Sequence, residues 1–146
     1  MRNRSLLLAG VLASLLAAAQ AADDHVALVR KVTGAVHIHR GAADLLAVPG
    51  TPVLRDDEVT SGRGASAGLA FRDGTLLTLG ASSSVKVRDY LFEPEDGRFA
   101  FSVFLAKGQA IYSSGRIGKL APQSVRVDTP TATVGVRGTR FIVVAE

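Results

Sequence analysis

Beyond residue 21 the apolar positions return in short alternating runs, roughly every eight to twelve residues, and no Gly- and Pro-free window of about 12 residues carries helical spacing. The chain is therefore expected to be all-β. In the segment 34–39, Val36 and Ile38 share one face and His37 and His39 the other, as the two-residue strand period requires. In 98–105, Phe99, Phe101, Val103 and Leu105 fall on one side, with Ala100, Ser102 and Phe104 opposite. A further strand is expected from Val85 to Tyr90, with Lys86 and Arg88 toward water. Asp73-Gly74 separates two strand-like runs, 69–72 and 75–78, and suggests a hairpin closed by a two-residue type I′ turn, whose positions both need positive φ. Residues 141–144 are apolar on both faces, which is the pattern of a strand covered on both sides. Residues 91–97 read as an acidic surface loop, and the glycine-punctuated, mildly basic 113–122 as the most mobile loop.

The first residues differ in kind. Arg2 and Arg4 precede an uncharged apolar run from Ser5 to Ala19, and Ala19-Gln20-Ala21 has the small-x-small form of a secretory cleavage site. Residues 1–21 are read as a signal peptide and 22–146 as one β domain. The apolar run is shorter than the roughly 20 residues a helix needs to cross hydrocarbon, and no later segment comes closer, so the mature chain is expected to lack a transmembrane segment. The chain has no cysteine, which excludes disulfides, thiolate metal sites and a lipidated N-terminal cysteine. Of 17 basic residues, Arg2 and Arg4 belong to the leader, so the mature chain is nearly neutral against its 13 acidic residues. That balance gives no electrostatic footprint for nucleic acid.

Four segments in order carry a resemblance: 59–62, then Leu69 to Gly80 with its Phe-Arg-Asp-Gly-Thr, then 105–110, then Val127 to Phe141 with its Thr-Pro and Val-Gly-Val-Arg-Gly-Thr-Arg-Phe. Together they resemble the FecR domain, the periplasmic module of bacterial proteins that pass a surface signal inward to a sigma-factor regulator. The chain is read as a single compact β-roll or short irregular β-solenoid, exported and acting as a non-enzymatic binding or scaffolding module, with no cofactor assigned; the resemblance implies protein partners of the cell envelope. Phe71, Asp73, Gly74, Thr129, Pro130, Gly135, Gly138, Thr139 and Phe141 are its motif positions, and their first reading is structural. Gly138 stands where a strand would otherwise run on and marks a bulge or corner. Thr129, preceding Pro130, is biased to extended geometry, where a strand ends or bends. Phe71 and Phe141 are expected core anchors. Family members that act on sigma factors carry a cytoplasmic helical segment and a membrane span, whereas this chain begins with an export signal. The family pattern often continues into a further strand after the Gly-Thr-x-Phe element, so strand addition from a partner, or self-association, is expected at an exposed sheet edge.

Candidate chemistry is sparse. His37 and His39 on one strand face could converge on a metal ion with His25 as a distant third donor, or form the wet face of an amphipathic strand; no metal site is assigned. No Gly-x-Ser-x-Gly occurs, the glycines at 135 and 138 lack the spacing of a phosphate cradle, and Asp56-Asp57-Glu58 reads as a solvated turn. No catalytic residue is assigned. Arg137 and Arg140 are candidate partner contacts, able to meet a carboxylate, with an intramolecular pair, for example to Asp128, as the competing expectation; Arg116 and Lys119 are candidate contacts to a partner or an anionic envelope surface, with a solvated loop as the competing expectation. The alternative function, a carbohydrate- or cell-wall-binding accessory protein, would need an aromatic platform, which the absence of Trp makes harder to build.

Overall fold

The computed structural model describes residues 24–136 and 138–146. The expected signal peptide and Arg137 lie outside the described residues. Twelve strands form one curled sheet: β1 (Ala27–Thr33), β2 (Val36–Arg40), β3 (Ala43–Leu46), β4 (Pro52–Val53), β5 (Glu58–Ser61), β6 (Ser66–Phe71), β7 (Leu76–Leu79), β8 (Ser84–Glu93), β9 (Arg98–Ser113), β10 (Val125–Asp128), β11 (Thr133–Gly135) and β12 (Arg140–Ala145). The all-β expectation holds.

The 16-residue β9 is the spine. Its first half pairs antiparallel with β8 and parallel with β10; its second half pairs antiparallel with β7 and β12. One wing of the sheet therefore runs β3-β2-β5-β8-β9, continued by β10 and β11, and the other runs β4-β1-β6-β7-β9, continued by β12. The wings part at Gly108, whose φ is +88° and where an added Cβ would lie 2.6 Å from Ser83 Cα. Only glycine serves there, because the backbone is both left-handed and in contact with the segment that leads into β8.

Alternation does the rest. The inward positions Val36, Ile38, Val59, Val85, Val87 and Leu105 of one wing and Leu69, Leu77 and Leu79 of the other are buried in a single core cluster. Truncating any of these leucines or Ile38 to alanine costs about 2–5 kcal/mol. Phe71, Phe101, Tyr112 and Phe141 run through that core with successive ring centroids 4.9, 5.6 and 4.9 Å apart. Phe71 is buried, whereas Phe141 is half-buried. His37 and His39 lie on the half-exposed outer face of β2, opposite Val36 and Ile38, as the alternation requires.

Four local expectations are corrected. The hairpin between β6 and β7 exists, but its turn is not type I′: Gly74 N–H donates to Phe71 O, Phe71 N–H to Thr75 O, and only Gly74, at φ +89°, is left-handed. Arg72, Asp73 and Gly74 thus form a three-residue loop ending in a left-handed glycine. The segment expected to be mobile holds a short helix α1 (Arg116–Leu120) with Ile117 fully buried. The acidic trio is not wholly solvated: Asp57 is 1% exposed and receives Arg40 Nε at 3.0 Å, Arg40 Nη2 at 2.7 Å and Leu54 N at 2.8 Å. That hydrogen bonding holds the Arg40 guanidinium above its ordinary pKa against the cost of burial. Finally, β12 is not covered on both faces: Val143 and Ala145 are buried on its inner face, whereas Ile142 and Val144 on its outer face are 63% and 62% exposed.

Candidate partner-binding site

The Phe-Arg-Asp-Gly-Thr segment builds a buried hub. The Asp73 carboxylate accepts from Thr75 Oγ1 at 2.6 Å, Thr75 N at 3.3 Å, Tyr90 Oη at 3.0 Å and Ile117 N at 3.0 Å. Asp73 N–H donates back to Tyr90 Oη at 2.9 Å, and Asp73 O accepts from Arg116 N at 2.9 Å. The bonds to Thr75 are the side-chain turn that an Asp-x-Thr sequence offers locally. Those to Tyr90 and Ile117 are long-range, and fasten β8 and α1 to the hairpin. Burial, then the charge of Asp73, push the Tyr90 phenol well above its ordinary pKa. Asp73 therefore carries both turn chemistry and a tertiary junction, the second of which the sequence alone did not reveal.

Glycines make room for this junction. A Cβ on Gly115 would collide with Thr75 N and lie 2.6 Å from Gly74 C. A Cβ on Gly118 would lie 2.7 Å from Ser114 Oγ and 2.8 Å from Tyr112 Oη. Tyr112 Oη is buried without a hydrogen-bond partner among the described residues. Burial raises the Tyr112 pKa, opposed by the neighbouring hydroxyls of Ser114 and Thr75.

The C-terminal motif continues from the same end. Ser114 N–H donates to Thr139 O at 2.7 Å, and Ser114 Oγ approaches Gly138 O at 3.4 Å, so the Gly138-Thr139 corner sits beside the entry to α1. Gly138 has φ +104° with nothing near its missing Cβ, so it is required for its conformation and not for space. Thr129 closes the turn between β10 and β11: its N–H donates to Ala132 O and its Oγ1 accepts from Ala132 N–H, with exposed Pro130 inside the turn. Gly135 ends β11 in open space.

Between the two wings these strands leave an opening. Among the described residues β11 pairs only with β10 and β12 only with β9, and the groove separating them has a volume of about 920 Å³. Val125, Val134, Val136 and Phe141 give it an apolar lining, with Arg126, Thr129 and Thr131 also along it. Its two walls are unpaired strand edges.

The candidate cations distribute unevenly. Arg140 is exposed at the start of β12, while Arg116 lies 5.0 Å from the Phe92 ring and Lys119 is exposed on α1. Asp128 is met by Arg88 at 3.6 Å and Arg126 at 3.4 Å. The histidine pair gains a neighbour that the sequence did not indicate, Asp44, 3.1 Å from His37 and 3.7 Å from His39; even so, no His/Cys/Asp/Glu group suited to a metal ion occurs among the described residues. Tyr90 and Tyr112 are buried and offer no exposed platform.

The family model described as FecR protein matches residues 57–146, and the chain belongs to that family. It is thereby a domain of an envelope-associated, signalling-related family. No curated protein and no solved structure matches it. Among the described residues no helix is long and apolar enough to cross a membrane.

Proposed function

We propose that the protein is exported, loses residues 1–21, and acts in the cell envelope as a non-enzymatic module that docks a partner protein in the groove between β11 and β12. The observation that carries this reading is the groove itself: an apolar trough walled by two strand edges offers backbone hydrogen bonds and side-chain pockets to an extended segment. Family membership supports an envelope signalling context. The exposed Arg126 along the groove, and the exposed Arg140 next to its lining residue Phe141, favour a segment bearing carboxylates.

Site-specific photocrosslinking in envelope preparations tests the reading. A crosslinker at Thr131 in the groove is expected to trap one partner protein, and the same group at Leu46, on the remote β3, is expected not to. Equal trapping from both positions, or none from Thr131, sinks the groove as the docking site. Mass determination of the exported protein is expected to place its first residue at Ala22.

A further inference from the structure

We propose that the open edge of β12 pairs with the β12 of a second copy of this chain, antiparallel and centred on Val143. The inference deepens the protein-docking reading above by naming a partner for one wall of the groove, and rests on it.

Backbone direction comes first. Ser114 N–H donates to Thr139 O, which extends the β9–β12 register of Arg140 opposite Ser113. Successive residues of an antiparallel strand turn their N–H and C=O groups alternately to one neighbour and the other. Thr139, Phe141, Val143 and Ala145 therefore direct theirs at β9. Arg140, Ile142 and Val144 direct theirs at the open edge, and the same alternation carries to Glu146.

A twofold axis joining two such edges must match outward-directed residues with outward-directed residues. Centring on Val143 does so, setting Ile142 opposite Val144 of the second copy and Arg140 opposite its Glu146, each match occurring twice. The two most exposed apolar side chains of β12 then cover one another on the outer face of the sheet. The only positive and negative side chains of the segment meet as opposite charges. Centring on Ile142 or Val144 also satisfies the backbone, but removes the Arg140–Glu146 match. Charge and apolar pattern thus select one register among those the backbone allows.

Sedimentation equilibrium of the purified protein over a concentration series tests this. The unmodified protein is expected to form a reversible dimer. Arg140→Glu and Glu146→Arg, both at exposed positions, are each expected to weaken it on the order of tenfold at low salt, since each replaces two opposite-charge pairs by two like-charge pairs. Mixing the two variants is expected to restore dimer as a heterodimer, because all charges are again opposed. A monomer at every concentration, a dimer indifferent to both reversals, or a mixture that fails to recover overturns the proposal. The register has its own check: Val143→Cys, the sole thiol in the chain, is expected to give a disulfide dimer, and crosslinking only from Ile142→Cys or Val144→Cys overturns the Val143 centre. A monomeric protein that still traps a partner from Thr131 refutes self-pairing alone; a dimer that traps none refutes the groove reading alone.

Discussion

Ile117 N–H donates to Oδ2 of Asp73 at 3.0 Å across 44 residues of sequence, and this bond fastens α1 to the β6–β7 hairpin. The carboxylate that receives it is 2% exposed and also satisfies Thr75 and Tyr90. Asp73→Ala would leave those donors buried and unpaired. Each unpaired donor costs about 1–3 kcal/mol, so a loss of roughly 3–5 kcal/mol in urea unfolding is expected. Asp73→Asn keeps one acceptor oxygen and is expected to lose less. If the junction positions α1 as described, the Ile117 amide is also expected to lose hydrogen-exchange protection before the core leucines do; equal loss everywhere would count against it.

Two buried tyrosines are expected to answer differently to the same change. Tyr90 Oη accepts from Asp73 N and donates to Asp73 Oδ1, so Tyr90→Phe leaves Asp73 N without its acceptor and Oδ1 with Thr75 N alone, and is expected to destabilise by about 1–3 kcal/mol. Tyr112 Oη has no partner among the described residues, so Tyr112→Phe removes an unsatisfied polar atom. It is expected to be neutral or to raise the thermal midpoint. A large destabilisation by Tyr112→Phe would mean that its hydroxyl is bonded.

Strand positions were legible in the sequence wherever one face was wet. Val36 and Ile38 against His37 and His39, and Lys86 and Arg88 on β8, fall where the two-residue period sets them. Other features depend on contacts that no local pattern encodes. The apolar run 141–144 looked fully covered because hydrophobicity does not say whether a layer packs over each face; Val143 faces the core, while the outer face that carries Ile142 and Val144 is exposed. Residues 113–122 looked mobile because glycine marks both loops and close approaches. At Gly115 and Gly118 it is the second, forced by Thr75, Gly74 and Tyr112 from distant positions. Asp57 and Asp73 each sit beside residues typical of turns, and burial was visible only through Arg40, Tyr90 and Ile117.

Alkaline pH is expected to unfold the protein through the same tyrosines. Burial raises both phenols in the folded state, while unfolded tyrosine titrates near about 10. Below that pH both states hold the protons and stability is unaffected by them. Above it the unfolded chain releases protons first, so stability falls as pH rises toward the folded pKa values. The slope approaches about 1.4 kcal/mol per pH unit for each tyrosine. Denaturant midpoints at pH 9 to 12 are expected to drop along this line and to drop less steeply for Tyr112→Phe; a flat profile would contradict burial of the two phenols.

Gly115 is the sharpest steric test of the junction. Its Cβ position is occupied by Thr75 N and crowded by Gly74 C and Asp73 O, all of them backbone atoms of the hairpin that cannot rotate aside. Gly115→Ala must push α1 off the hairpin, withdrawing the Ile117 amide from Asp73 and exposing the Ile117 side chain. Overpacking of this kind costs about 1–3 kcal/mol, and loss of the buried contacts adds to it. Gly135→Ala is the control, since nothing lies within 4 Å of its missing Cβ. Thermal unfolding is expected to separate the two variants by several degrees; equal midpoints would show that α1 is not packed against the hairpin.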